Sequence, residues 1–208
     1  MVSRNKNIVR AILIASYIVI IALIVSGISA LFGYLNTGAD RSAMLHTEIK
    51  KTEQYTPKIV WAPLTNKGRP IDKDNLNALE HDYLDAWYVK HVAYKTNTTA
   101  GIKDYYTDSA RLNLYDMIAL NTDENITIES TALEHHPTLE FFSEDGQLAV
   151  LTDNDVVEYK RVFQDGNMIL ETTEISTYKI VLLLEDGFWR IRHLVKTATE
   201  DYNVEHKT

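Results

Sequence analysis

The first candidate for proton transfer in this 208-residue chain is one histidine, His91. His91 follows Asp82 and Asp85, and a histidine beside a carboxylate is a common pairing of a general base with the group that orients it. On a helix, side chains meet when they are three or four residues apart. These carboxylates precede His91 by nine and six positions. The sequence therefore predicts a partly exposed helix histidine and no catalytic set.

The adjacent pair His135-His136 has the residue type of a metal ligand. Neighbouring residues of a strand point to opposite faces, so the two rings cannot hold one ion in regular strand geometry. Pro137 follows, so we expect both histidines at the surface, and Glu134 and Glu140 do not complete a metal site. The chain has no cysteine, which excludes thiolate sites and disulfides. It has no phosphate loop, nucleophile elbow or zinc helix motif, and we expect no cofactor and no metal.

Charge is distributed unevenly along the chain. The net charge is −8, but from Leu76 onward 11 Lys and Arg stand against 24 Asp and Glu, a net charge of −13. An acidic surface repels phosphate backbones, so we expect no nucleic-acid partner. The last strands nevertheless hold a basic group, which consists of Lys160, Arg161, Lys179, Arg190 and Arg192. It either meets a carboxylate-bearing partner or, as the simpler interpretation, pairs across the sheet with Glu158, Glu171 and Glu174.

The elements that must position these residues come in the order helices, then strands. Asp72 or Asp74 can cap a helix that runs to about Tyr94 with apolar residues at helical spacing. Thr107 or Asp108 can cap a second helix. Farther on, the apolar period becomes that of strands, which are separated by the turn signals Asp145-Gly146, Asp165-Gly166 and Asp186-Gly187. This order predicts an α+β fold with an antiparallel sheet.

The start of the chain has a different composition. Residues 11–35 carry no charge, and as a helix they would measure ~37 Å, which predicts a transmembrane helix. Arg4, Lys6 and Arg10 precede it, which predicts a cytoplasmic N-terminus and an extracytoplasmic, periplasmic C-terminal domain at the inner (plasma) membrane. A cleaved signal peptide, with a weak cleavage site within 26–30, is the alternative.

These observations divide the chain into five parts. They are a cytoplasmic tail (1–10), the transmembrane helix (11–35), a linker or stalk (36–74), a globular domain (75–197) and a C-terminal tail (198–208). The linker contains an apolar strip with the candidate contact residues Ile59, Val60, Trp61 and Leu64. It either packs on its own domain, which we favour because exposed apolar strips are costly, or binds a partner.

Three segments resemble the nuclear-transport-factor-2-like (SnoaL-like) superfamily. They are YYTDSAR at 105–111, the hairpin at Asp165-Gly166, and YKIVLLLEDGFWRI at 178–191. The resemblance implies a cone-shaped domain, in which two to three helices pack on a curved, mostly antiparallel sheet around a pocket. The pocket residues that it implies are Tyr83, Trp87, His91, Tyr94, Tyr159, Arg161 and Tyr178. A single span before such a domain also resembles the layout of inner-membrane scaffold proteins of type IV secretion and conjugation machines.

Two functions follow as hypotheses. The first is a membrane-anchored, non-enzymatic accessory or scaffold subunit of a cell-envelope complex for secretion, conjugation or polysaccharide export. Its partners would be envelope or membrane proteins, or further copies of the chain, and its contact residues would be Ile59, Val60, Trp61, Leu64, Arg190 and Arg192. The alternative is a membrane-tethered domain that binds a small ligand or is a SnoaL-like enzyme, which the superfamily resemblance also allows.

Overall fold

A computed structural model describes residues 14–17, 19–28 and 56–202. The chain divides into two compact units, Met1–Met44 and Leu45–Thr208. In the first unit the described residues 14–17 and 19–28 have helical backbone.

The prediction of a transmembrane helix is corrected by this structure. Across the three described ranges, no helix is long and apolar enough to cross a membrane. The predictions for the tail 1–10, for the rest of 11–35 and for 36–55 lie outside the described residues, as does 203–208.

Within residues 56–202, the described part of the second unit, three helices follow two short strands. Helix α1 is Lys73–Thr96, α2 is Ile102–Tyr105 and α3 is Asp108–Asp123. Asp72 is the N-cap of α1, and its carboxylate accepts a 2.9 Å hydrogen bond from the backbone N–H of Asn75. That bond satisfies one of the amide groups that the first helical turn leaves without a partner. Thr107 precedes α3 and makes no side-chain cap bond.

In the same described range, a six-stranded sheet forms the other layer. Its strands are β1 (Lys58–Ile59), β2 (Lys67–Gly68), β3 (Ile126–Phe142), β4 (Leu148–Gln164), β5 (Asn167–Glu185) and β6 (Phe188–Asp201). The order is β1-β3-β4-β5-β6, with β2 also paired to β3. β3 to β6 form an antiparallel meander, whereas β1 and β2 run parallel to β3. The α+β class with a mostly antiparallel sheet is thereby confirmed.

The hairpins of the meander use the glycine turns. Asp165-Gly166 joins β4 to β5 with φ of 49° and 78°, and Asp186-Gly187 joins β5 to β6 with φ of 54° and 81°. Two consecutive positive φ angles are typical of the type I′ turn, whose twist matches that of the flanking strands. The strands themselves are interrupted by register shifts, including two in β3 between Ala132 and His136, and such bulges bend a strand locally.

The core lies between the helices and the sheet. α1 packs on β3 and β6, and α3 packs on the same two strands. The largest fully buried side chains include Trp87, Trp189, Tyr83, Tyr106 and Phe142. The carboxylate of Asp82 in α1 accepts a 2.7 Å hydrogen bond from the backbone N–H of Trp189, which ties the helix to the start of the last strand.

Candidate functional site

A buried carboxylate, Glu158 of β4, lies at the centre of the polar residues beneath α1. Its Oε1 is 3.8 Å from Lys90 Nζ and 3.5 Å from His91 Nε2, both on α1. Its Oε2 accepts a 3.4 Å hydrogen bond from the hydroxyl of Tyr178 on β5. These contacts are longer than the usual range for hydrogen bonds, so the group is held by charge more than by close hydrogen bonding.

The electrostatics of this group keep opposite charges inside the fold. Burial opposes ionisation of Glu158, but neighbouring cations, Lys90 first, outweigh it and lower its pKa to about 2. Burial and the charge of Lys90 lower the pKa of His91 to about 3, so His91 is neutral at pH 7. Because His91 is neutral there, the lysines are what stabilise the Glu158 carboxylate. Burial lowers the pKa of Lys90 to about 8 against the attraction of Glu158, which leaves the ammonium mostly protonated at pH 7.

The aromatic surroundings of Lys90 account for a buried ammonium. Lys90 Nζ lies 3.6 Å from the centroid of the Trp87 ring and 5.6 Å from that of Tyr178. A cation over an aromatic face is stabilised by the ring quadrupole, more so when both are desolvated.

A second polar group, centred on Asp153 of β4, joins three elements in the core. Asp153 Oδ2 accepts hydrogen bonds from the Tyr83 hydroxyl at 2.5 Å and from His135 Nδ1 at 2.7 Å. Its Oδ1 accepts one from the backbone N–H of His136 at 2.7 Å. Asp153, His135 and Tyr83 are fully buried, so this group fixes α1, β3 and β4 to one another.

The expectation that both histidines of the pair lie at the surface was wrong for His135. His135 is 0% exposed, whereas the side chain of its neighbour His136 is 38% exposed. The two rings do point to opposite faces, and His135 is in phase with the buried Leu139. That phase was a signal in the sequence that places His135 on the core face.

Two cavities flank the packed centre. The histidine cavity, about 370 Å³, is lined by residues that include Trp87, His91, Ser130, Tyr159 and Arg161. The lysine cavity, about 340 Å³, lies among α1, α3 and the sheet and is lined by residues that include Lys90, Tyr94, Glu158, Lys160, Tyr178 and Lys196. Ser130 lines both, and its hydroxyl is buried without a hydrogen-bond partner.

The seven predicted pocket residues are therefore divided among three places. Trp87, His91, Tyr159 and Arg161 line the histidine cavity, and Tyr94 and Tyr178 line the lysine cavity. Tyr83 lines neither and is buried at the centre. Sequence reasoning missed Lys90 and Asp153. Lys90 stands seven positions after Tyr83, on the core face of α1. A lysine at a position where the helical spacing expects an apolar residue could have indicated a buried charge.

The predicted contact residues lie at the edge of the sheet and at the start of β6. Ile59 and Trp61 pack against the core, and Trp61 Nε1 donates a 2.6 Å hydrogen bond to Glu80. Val60 and Leu64 alternate with them and are each 45% exposed.

The two arginines are both paired. Arg190 is largely buried and contacts Glu185 at 3.1 Å and Asp186 at 3.3 Å. Arg192 is half-exposed and contacts Asp108 at 2.9 Å.

Cross-strand pairing accounts for much of the remaining basic group. Lys160 contacts Glu174 at 3.0 Å and Arg161 contacts Glu129 at 2.6 Å. Among the residues that the structure describes, no group of three or more His, Asp or Glu side chains is arranged to hold a metal ion.

Comparisons with known proteins correct the superfamily assignment. No family model matches the chain, and no curated protein matches it. The resemblance to the nuclear-transport-factor-2-like superfamily behind a membrane span, with its secretion-scaffold layout, is thus overturned. The segments at 165–166 and 178–191 are turn and strand patterns common to antiparallel sheets, and YYTDSAR joins the end of α2 to the start of α3. Among solved structures, the chain is similar to the intermembrane space region of the chloroplast protein ARC6, with a TM-score of 0.52 and 13% identity over 62% of this chain and 99% of that one. At that identity the likeness shows a shared fold alone.

Proposed function

We propose that the second unit is a non-enzymatic accessory or scaffold module of a cell-envelope complex that acts by contact with other proteins. The observation that carries this proposal is that the centre of the unit, between the histidine cavity and the lysine cavity, is packed with aromatic side chains. The Trp87 ring packs edge-to-face with Tyr83, His135 and Tyr178, with centroids 6.3, 5.0 and 5.0 Å apart. Because the centre is packed, a protein partner would contact the surface of the module, and the two cavities lie beside this packed centre.

The contact surface in this proposal is the outer side of the apolar strip 59–64. Its inner residues anchor it to the core, while Val60 and Leu64 face outward. The strip runs along β3, with the backbone N–H groups of Val60 and Ala62 donating to the carbonyl oxygens of His135 and Pro137 at 2.9 and 3.0 Å. Because these backbone hydrogen bonds already hold the strip in place, a partner that binds it does not have to order it. Binding therefore costs little conformational entropy of the strip.

The proposal also includes an extracytoplasmic location of the globular domain. The similar solved structure comes from an intermembrane space region, which lies outside the compartment that a cytoplasmic protein occupies. This origin supports an extracytoplasmic position for residues 75–197.

Site-specific photo-crosslinking in intact cells tests the contact surface. A photoreactive residue at Val60 or Leu64 should give a discrete crosslinked product with another protein. The same residue at Lys103, an exposed position of α2, should not give that product. Val60→Glu combined with Leu64→Glu should abolish the association without lowering the melting temperature, because both side chains are exposed.

Two outcomes would contradict the proposal. One is identical crosslinking at Val60 and Lys103. The other is loss of cellular function on His91→Gln while the variant stays folded, because dependence on one ionisable side chain would indicate chemistry in the histidine cavity.

A further inference from the structure

The lysine cavity is built from every layer of the second unit. Lys90 and Tyr94 of α1 form one wall, and α3 contributes Leu114 and Met117. The strands complete it with Ile128, Glu158, Lys160, Tyr178, Leu194 and Lys196. Its volume of about 340 Å³ lies within the range of small-molecule sites.

The charge inside this cavity opposes the charge of the chain. Three ammonium groups, those of Lys90, Lys160 and Lys196, line it. Two carboxylates face them, Glu158 and Glu174, which leaves a net charge of +1 in a chain of net charge −8. A low-dielectric wall strengthens this local field relative to the surrounding acidic surface.

The three ammonium groups differ in how they are engaged. Lys160 Nζ and Lys196 Nζ each lie 3.0 Å from the same Glu174 oxygen. Lys90 Nζ is 3.8 Å from Glu158, beyond hydrogen-bond distance, and its side chain is 7% exposed. Lys90 therefore has donor capacity for an anion that enters the cavity.

Apart from Asn113 and Ser130, the remaining lining is largely apolar. Leu114, Met117, Ile128 and Leu194 present hydrocarbon to the same space, and the Tyr94 and Tyr178 rings add aromatic surface. A ligand that suits both parts carries one negative charge and a short apolar body.

We propose that the lysine cavity binds a small amphiphilic monocarboxylate, whose head group is held by Lys90 and whose hydrocarbon part contacts Leu114, Met117 and Leu194. A single negative charge neutralises the net charge of +1, whereas a dianion would leave uncompensated charge in a partly desolvated site. This site is separate from the contact surface on the strip 59–64, so its test does not depend on the proposed function.

Calorimetric titration of the full chain with three probes of equal length tests the head group. Octanoate should bind at least about tenfold more tightly than 1-octanol or octyltrimethylammonium, a difference of ~1.4 kcal/mol. Because Lys90 contacts the Trp87 ring, octanoate should also change tryptophan fluorescence. Equal affinities for octanoate and octanol would overturn the proposal, as would no saturable octanoate binding.

Two pairs of variants test the location. Met117→Glu places a carboxylate on the cavity wall at a residue that is 40% exposed, and should weaken octanoate binding at least about tenfold. Its control is Leu112→Glu, on the same helix but outside the cavity, which should leave the affinity unchanged. Lys90→Met should act like Met117→Glu, with the exposed Lys103→Met as control. If Lys90→Met does not fold, the Met117 pair decides, and octanoate affinity within about twofold of wild type in Met117→Glu overturns the site.

Discussion

Single buried ionisable side chains make the stability of this protein depend on pH. The pKa of His91 falls from 6.5 to about 3 on folding, because burial and Lys90 disfavour its charged form. Between these values the unfolded chain binds a proton that the folded chain does not. Protonation of His91 therefore favours unfolding. The free energy of unfolding begins to decrease as the pH falls below about 6.5.

Between pH 6.5 and pH 4.5 the wild-type free energy of unfolding should fall by about 2 kcal/mol through His91, because the slope approaches ~1.4 kcal/mol per pH unit only well below pH 6.5. In His91→Gln this contribution should be missing, so the variant should lose about 2 kcal/mol less over the same interval. Denaturant unfolding at the two pH values measures both.

A matched variant separates this effect from general acid destabilisation. His193 is exposed on β6, and His193→Gln is the matched control for the loss of a histidine. Equal losses in wild type and His91→Gln would contradict the assignment of the pH dependence to His91.

Asp153 accepts three hydrogen bonds in the core. Asp153→Ala should lower the free energy of unfolding by roughly 3–5 kcal/mol, because it leaves buried donors from Tyr83, His135 and His136 without an acceptor. Tyr83→Phe, which removes one bond and keeps the ring, should cost only about 1–2 kcal/mol. Thermal or denaturant unfolding measures both, and the exposed Asp116→Ala serves as control. A cost below about 1 kcal/mol for Asp153→Ala would show that these donors find other partners.

The candidate site was only partly predictable for a reason visible in these residues. Helical spacing places Tyr83 and Trp87 on a buried face, and the structure has them there. The partners of that face are Asp153 and Glu158, which stand 70 or so positions away on β4. No local sequence pattern indicates such a pairing. It depends on the register of β4 against β3 and on where α1 packs on the sheet.

At the scale of elements, the caps and turns carry much of the fold. Asp72 accepts hydrogen bonds from the backbone and the side chain of Asn75 at 2.9 and 2.6 Å, which lowers its pKa. Asp72→Ala should therefore cost about 1 kcal/mol, the usual value for losing an N-cap. Asp74→Ala is the control and should cost less, because Asp74 lies inside the first turn. Urea unfolding of the two variants checks this, and equal costs would contradict the capping role of Asp72.

Elements with local signals were predictable, and elements without them were not. The Asp-Gly turns fix the hairpins of β4, β5 and β6 through backbone geometry that neighbouring residues determine. β1 and β2 have two residues each and pair in parallel with β3 across long stretches of sequence. Nothing in Lys58–Ile59 or Lys67–Gly68 indicates a strand, since their pairing comes from packing of the whole unit.

At the scale of the whole molecule, the core of the second unit is built from its own residues. The buried apolar cluster extends from Ile71 to Ile191, within Leu45–Thr208. A chain that begins at Leu45 should therefore unfold in one cooperative transition with a melting temperature close to that of the full chain. Calorimetry of both chains measures this. A broad, non-cooperative transition in the shorter chain would show that residues 1–44 are needed for folding.

The hydrogen bond from Trp189 to Asp82 joins positions 107 residues apart. During synthesis on the ribosome, α1 emerges well before the strand that covers it. At about 5–20 residues per second, that interval is roughly 5–20 s. Throughout it, the face formed by Leu79, Tyr83 and Trp87 has no β6 to pack against. A nascent chain therefore exposes its most aromatic helix for longer than any later element, and chaperone binding to the growing polypeptide should concentrate on α1.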